Sequence, residues 1–214
     1  MRGVKFGFMH SFDFFNLILN SKEIGSPEIK KNLIEIAGAD GYLDATYFFG
    51  EPKYTNRTLT FRFTINPSVG ASAYLSTYNN VNTILHGTKR KIILDEDTEW
   101  SFNGIVSVGD YKCERNIATF DIVCDCEPFR IEEVETVVSQ YVDGAGRFDL
   151  YNYRKRVVPT ITSNSEMVFN YEGTYYNPGS GTFTIPEIEL KDGYNYVDVT
   201  GVGTVTFRYR KGRL

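Results

Sequence analysis

The side chains that could do chemistry in this 214-residue sequence are few, and their spacing limits what each could do. Asp95-Glu96-Asp97 sets three carboxylates in a row and invites a calcium ion. A calcium loop alternates its ligands and ends in a distal bidentate glutamate; this run does neither, so it reads as a solvated turn. The three cysteines are Cys113, Cys124 and Cys126. The last two point the same way along one strand, a poor geometry for a disulfide, and all three read as reduced thiols filling core space. A structural metal needs about four ligands, and only His10 and His86 could add imidazoles, so neither metal nor cofactor is expected.

Asp95, Asp97, Asp121 and Asp125 could act as a glycosidase pair only if two of them faced each other across a cleft, and nothing in their spacing requires it. Neither histidine stands beside a serine or cysteine in a nucleophile motif. Gly201-Val202-Gly203 is not followed by a helical pattern, so it cradles no phosphate at a helix start. No catalytic residue emerges, and the chain reads as a non-enzyme. A binding role is the alternative: Tyr171, Tyr175 and Tyr176, beside Asn170, Glu172 and Asn177, could stack on and hydrogen-bond a cell-wall glycan. The run Phe207 to Arg213 alternates aromatic with basic residues, but the chain carries a net charge of -4, which argues against phosphate neutralisation and for a solvated face.

The elements that must carry these residues are mostly strands. Phenylalanine (16) and tyrosine (15) are abundant, which favours sheets. Leu59, Phe61, Phe63 and Ile65 alternate with Thr60, Arg62 and Thr64, and Ala118, Phe120, Ile122, Cys124 and Cys126 alternate with polar residues until Pro128 stops the run. One helix is expected, with Ser72 as N-cap, Tyr74, Tyr78, Val81 and Leu85 on its inner face and Gly87 just past its end. Ser21 to Lys31 reads as a long polar loop, Asp40-Gly41 as the tip of a hairpin returning through Tyr42, and Phe48 to Pro52 as a further turn. After Pro128, short strands separated by turns at Lys191-Asp192-Gly193 and Thr200 to Gly203 suggest a small β-sandwich. The expected organisation is mainly β: residues 1–129 form an antiparallel domain with one helix and 130–214 a second β-sandwich. No apolar run approaches the roughly 20 residues of a membrane span. The opening MRGVKFGFMHSFDFF lacks a signal-peptide core, so a cytoplasmic origin is expected.

The ordered set VKFGF, EIAGADGYLD, TLTFRFTI, one helix, CEPF and the closing IPEIELKDGYNYVDVTGVGTVTFRYRKGRL resembles the distal tail protein (Dit) family of long, non-contractile-tailed phages and prophages of Gram-positive bacteria, over essentially the whole chain. Ala37 stands where relatives commonly have proline before the glycine. The resemblance implies a split-barrel-like N-terminal domain that builds a homohexameric ring and a galectin-like or galactose-binding-like C-terminal sandwich. It implies a place at the distal end of the virion tail, with the tail tube protein, the tail-associated hub or lysin protein and receptor-binding proteins as partners. DNA would pass only in transit, through the channel of the ring, and the acidic balance of this chain suits such a channel. For the subunit contact the sequence offers Lys30 and Lys31 on the polar segment and Asp40, Gly41 and Tyr42 on the hairpin, because these protrude beside apolar strands.

Overall fold

A computed structural model describes residues 3–48 and 50–214. The chain divides into two compact units, Met1–Pro128 and Phe129–Leu214, each with its own hydrophobic core. The expected turn from Phe48 to Pro52 includes Phe49, which lies outside the described residues.

The strands of the first unit are β1 (Val4–Phe6), β2 (Met9–His10), β3 (Leu17–Ile24), β4 (Leu33–Glu35), β5 (Tyr42–Asp44), β6 (Arg57–Ile65), β7 (Lys89–Leu94), β8 (Asp97–Val108), β9 (Lys112–Glu114) and β10 (Ile117–Cys126), with α1 (Tyr74–Leu85) between β6 and β7. They form an antiparallel sheet in the order β2-β1-β7-β8-β10-β6-β3, with β9 on β10, while β4 and β5 pair only with each other. The inward faces of β6 and β10 are the alternating residues expected, and all are at most 2% exposed. Phe6 on β1 meets Phe61 on β6 at 6.1 Å between ring centroids, although β7, β8 and β10 lie between them in the sheet. Neighbouring strands are about 4.8 Å apart, so four steps across a flat sheet would span about 19 Å. The sheet therefore curls until its ends share one core. Burying each such phenylalanine contributes about 1.5–3 kcal/mol.

The helix closes this core. Tyr74, Val81 and Leu85 are buried, and Tyr78 packs edge-on against Phe120 at 5.4 Å and donates to the Gly109 carbonyl. Gly87 stands one residue past the cap with φ +72°, as the spacing predicts. Ser72 is not the cap. It lies in a short 3-10 turn, Ala71–Ala73, that leads into α1, and Ala73 precedes the helix without a side-chain bond.

The stretch from Ser21 to Lys31 is not a loop. Ser21 to Ile24 complete β3 against β6 after a bulge at Leu19/Ser21, and the pairing continues outward through Gly25 N to Thr58 O, Thr55 N to Glu28 O and Lys30 N to Lys53 O. Backbone bonds to a distant partner make this polar run the outgoing leg of a ribbon that ends in the β4–β5 hairpin.

The second unit comprises β11 (Arg130–Glu132), β12 (Thr136–Asn152), β13 (Thr160–Ser163), β14 (Val168–Tyr171), β15 (Thr174–Tyr176), β16 (Gly181–Thr184), β17 (Gly193–Tyr209) and β18 (Gly212–Arg213). The expected turn at Thr200 to Gly203 does not occur. β17 runs through it, paired with β12 at every position from Gly193 to Tyr209. Gly201 and Gly203 take φ +145° and +150°, which bends the strand without breaking the ladder. β14 pairs with the first half of β17 and β13 with the second. Phe148, opposite Val197 in the first half, meets Phe207 of the second at 4.9 Å, so the bent ribbon folds its halves face to face into a β-sandwich.

Candidate functional site

The groups with chemical potential are mostly occupied by structure. His10 is gripped at both ring nitrogens, Nε2 by Asp95 and Nδ1 by Asp13, each at 3.0 Å, beside a recess of about 390 Å³ that Lys5 and Phe12 also line. The adjacent Ser11 hydroxyl is buried and accepts the Val4 amide, so it presents no nucleophile to this histidine. His86 accepts the Val108 amide through Nδ1. Arg62 holds Asp121 by two hydrogen bonds and keeps its carboxyl below the usual range. Among the described residues no cluster of three or more His, Cys, Asp or Glu could hold a metal ion, and no helix is long and apolar enough to cross a membrane.

Cys124 and Cys126 are fully buried, as a core role requires, but Cys113 is exposed at the β9–β10 hairpin because β9 presents all three of its side chains to solvent. Burial pushes the Cys124 thiol up, and the Cys126 thiol up to about 12. Since the thiolate is the reactive form, a disulfide reagent at pH 8 is expected to titrate Cys113 alone in the native protein and the other two only after unfolding. Rapid labelling of all three without denaturant would contradict this packing.

The basic run near the end of the chain is neutralised where it stands. Phe207 and Tyr209 belong to the core, Arg208 faces Glu135, Lys211 lies 3.8 Å from Glu132 and caps the Tyr153 ring, and Arg210 donates to the backbone at Glu132 and Glu133. This face offers little free charge to a phosphate.

Two surfaces remain. The first is the arm of the first unit. Ile34 faces Leu43 across the hairpin and Glu35 faces Tyr42; Leu33, Ile34, Ile36, Tyr42, Leu43, Tyr47 and Phe48 are all exposed. Gly38 and Gly41 take the left-handed conformations at the tip (φ +81° and +80°), and Thr46 ties the base by accepting the Asn32 amide and donating its own amide to Asp44. Lys30, Lys31, Asp40, Gly41 and Tyr42 all lie exposed on this one ribbon.

The second surface is in the second unit. Tyr171, Tyr175 and Tyr176 do not form one patch. Tyr171 is buried, its hydroxyl 3.0 Å from both Glu189 O and Asn195 Oδ1, and burial pushes its phenol up to about 12. Tyr176 leans on the core, and Tyr175 alone is exposed. Strand alternation explains the split, since Tyr175 points opposite to its neighbour. On the outward face of β17, however, Tyr194, Tyr196 and Asp198 follow one another at every second position, a pattern that sequence reading passed over though it was visible there.

The architecture thus defines a class: a two-unit, mainly antiparallel β protein with one helix and an apolar β-arm. No family model and no curated protein matches the sequence. Among solved structures the chain is similar to the crystal structure of SPP1 Dit (gp 19.1), described as a paradigm of the hub adsorption apparatus in Gram-positive infecting phages. The two align over 100% of each chain with a TM-score of 0.73 at 16% identity, so this chain has the fold of that protein.

Proposed function

We propose that this chain is a distal tail protein, a structural virion component that forms a hexameric ring at the far end of a phage or prophage tail and joins the tail tube to the hub and adsorption apparatus. The likeness in fold to a phage hub protein, at full length in both chains, carries this reading.

The arm supports it. An isolated two-stranded hairpin is marginal in water, and one that exposes seven large apolar residues on and beside its strands calls for a partner surface. A closed ring is built from heterologous contacts in which one patch of each subunit meets a different patch of the next. The arm, with Lys30, Lys31, Asp40, Gly41 and Tyr42, supplies one such patch. The net charge of -4 suits a channel through which DNA slides without sticking. The role requires the tail tube protein, a hub or lysin protein and receptor-binding proteins as neighbours, and no cofactor.

Immunogold labelling of phage particles from the strain that encodes this chain tests the assignment. Gold confined to the distal tail end is expected. Gold on the capsid, or particles that lack the chain altogether, would overturn it.

A further inference from the structure

We propose that the outward face of β17 and β14 in the second unit is a binding site for a neutral saccharide, independent of the tail assignment. The site is a recess of about 410 Å³, within the range of small-ligand pockets. Tyr194 and Tyr196 stand beside it, 65% and 52% exposed, with ring planes 12° apart. Their orientation is fixed by neighbours: Tyr151 meets Tyr194 edge-on at 5.1 Å, and the Arg147 guanidinium carbon lies 5.6 Å from the Tyr196 ring centre. Exposed aromatic rings held in place in this way offer apolar faces for the C–H face of a pyranose at low entropic cost.

The polar groups around the rings match hydroxyls. Arg147 and Asp198 are joined by hydrogen bonds of 2.7 and 3.3 Å, and Lys191 bonds Glu172 at 2.6 Å. Each pair places a donor beside an acceptor, which is what a sugar hydroxyl needs, since it gives one hydrogen bond and accepts others. Asn170 sits between them, opposite Asp198 on β17 and Tyr175 on β15. Asn170 lines the recess, and its Oδ1 is buried and has no hydrogen-bond partner among the described residues, so a polar group stands unsatisfied at the wall of the site.

The charge balance selects the ligand. Glu172, Asp192 and Asp198 outnumber Lys191 and Arg147 around the recess, so phosphate and uronate groups are disfavoured and a neutral sugar ring is favoured.

Saturation-transfer NMR on the full chain, with the methyl glycosides of glucose, galactose, N-acetylglucosamine and N-acetylgalactosamine, provides the test. Transfer to at least one glycoside is expected, with a dissociation constant of about 1 mM, weakened about tenfold in Tyr196→Ala and in Tyr194→Ala and unchanged in Tyr141→Ala, an exposed tyrosine outside the recess. Circular dichroism of each variant confirms that the fold persists. No transfer to any of the four, or transfer undiminished in both recess variants, would overturn the proposal. Such a result would leave the tail assignment standing.

Discussion

Replacing Ile34, Tyr42 and Leu43 together by serine is expected to leave the protein folded and to abolish its self-association. All three are exposed on the arm, so neither core loses a contact. In the proposed ring they are covered by the next subunit. Half-exposed Ile34 and Leu43 would contribute about 1 kcal/mol each on burial, and Tyr42 about 2 kcal/mol as an aromatic anchor. The sum of about 4 kcal/mol corresponds to roughly a thousandfold in each subunit contact, and a closed ring repeats that contact around its circumference. Reversing the charges of Lys30 and Lys31 while removing the Tyr42 ring should weaken assembly in the same direction. A triple-serine variant that assembles as the parent does would remove the arm from the interface.

Asn195→Ala is expected to destabilise the second unit by about 3–4 kcal/mol, measured by urea unfolding. Asn195 is buried, and its side chain works on five groups at once. Nδ2 donates to the carbonyls of Leu150, Lys191 and Gly193, and Oδ1 accepts the Lys191 amide at 2.8 Å and lies 3.0 Å from the Tyr171 hydroxyl. It thereby holds the turn at Lys191–Gly193 and the start of β17, the strand against which β12, β13 and β14 pair. Alanine leaves several of these groups without a partner at about 1 kcal/mol or more apiece. The exposed pair Arg62–Asp121 makes two ionic hydrogen bonds but stands in water, and its removal should cost far less. A loss below 1 kcal/mol in Asn195→Ala would show that the turn holds without it.

What the sequence disclosed followed from local periodicity. The alternations in Leu59 to Ile65 and Ala118 to Cys126 identified buried strand faces because one face of each strand is wet, and α1 was readable from the spacing of Tyr74, Tyr78, Val81 and Leu85. The outgoing leg of the arm, Ser21 to Lys31, was misread as a loop because its pairing depends on backbone groups some 30 residues away, which leave no mark on side-chain pattern around Pro27. Gly201 and Gly203 were taken for a turn because glycine serves equally for a turn and for a bend in a continuous strand; only full pairing with β12 tells them apart. For the tyrosine face, Tyr194, Tyr196 and Asp198 announced an outward stripe, while Arg147, which fixes Tyr196 and Asp198, comes from a strand 51 residues earlier than Asp198.

The central claim, that this chain builds a ring through its arm, is tested most directly by the mass of the purified full chain in solution, by light scattering over a concentration series with negative-stain imaging of the same sample. The account predicts six-subunit particles with a central opening. A monomer at every concentration, in the presence of the tail tube and hub proteins as well as alone, would contradict it.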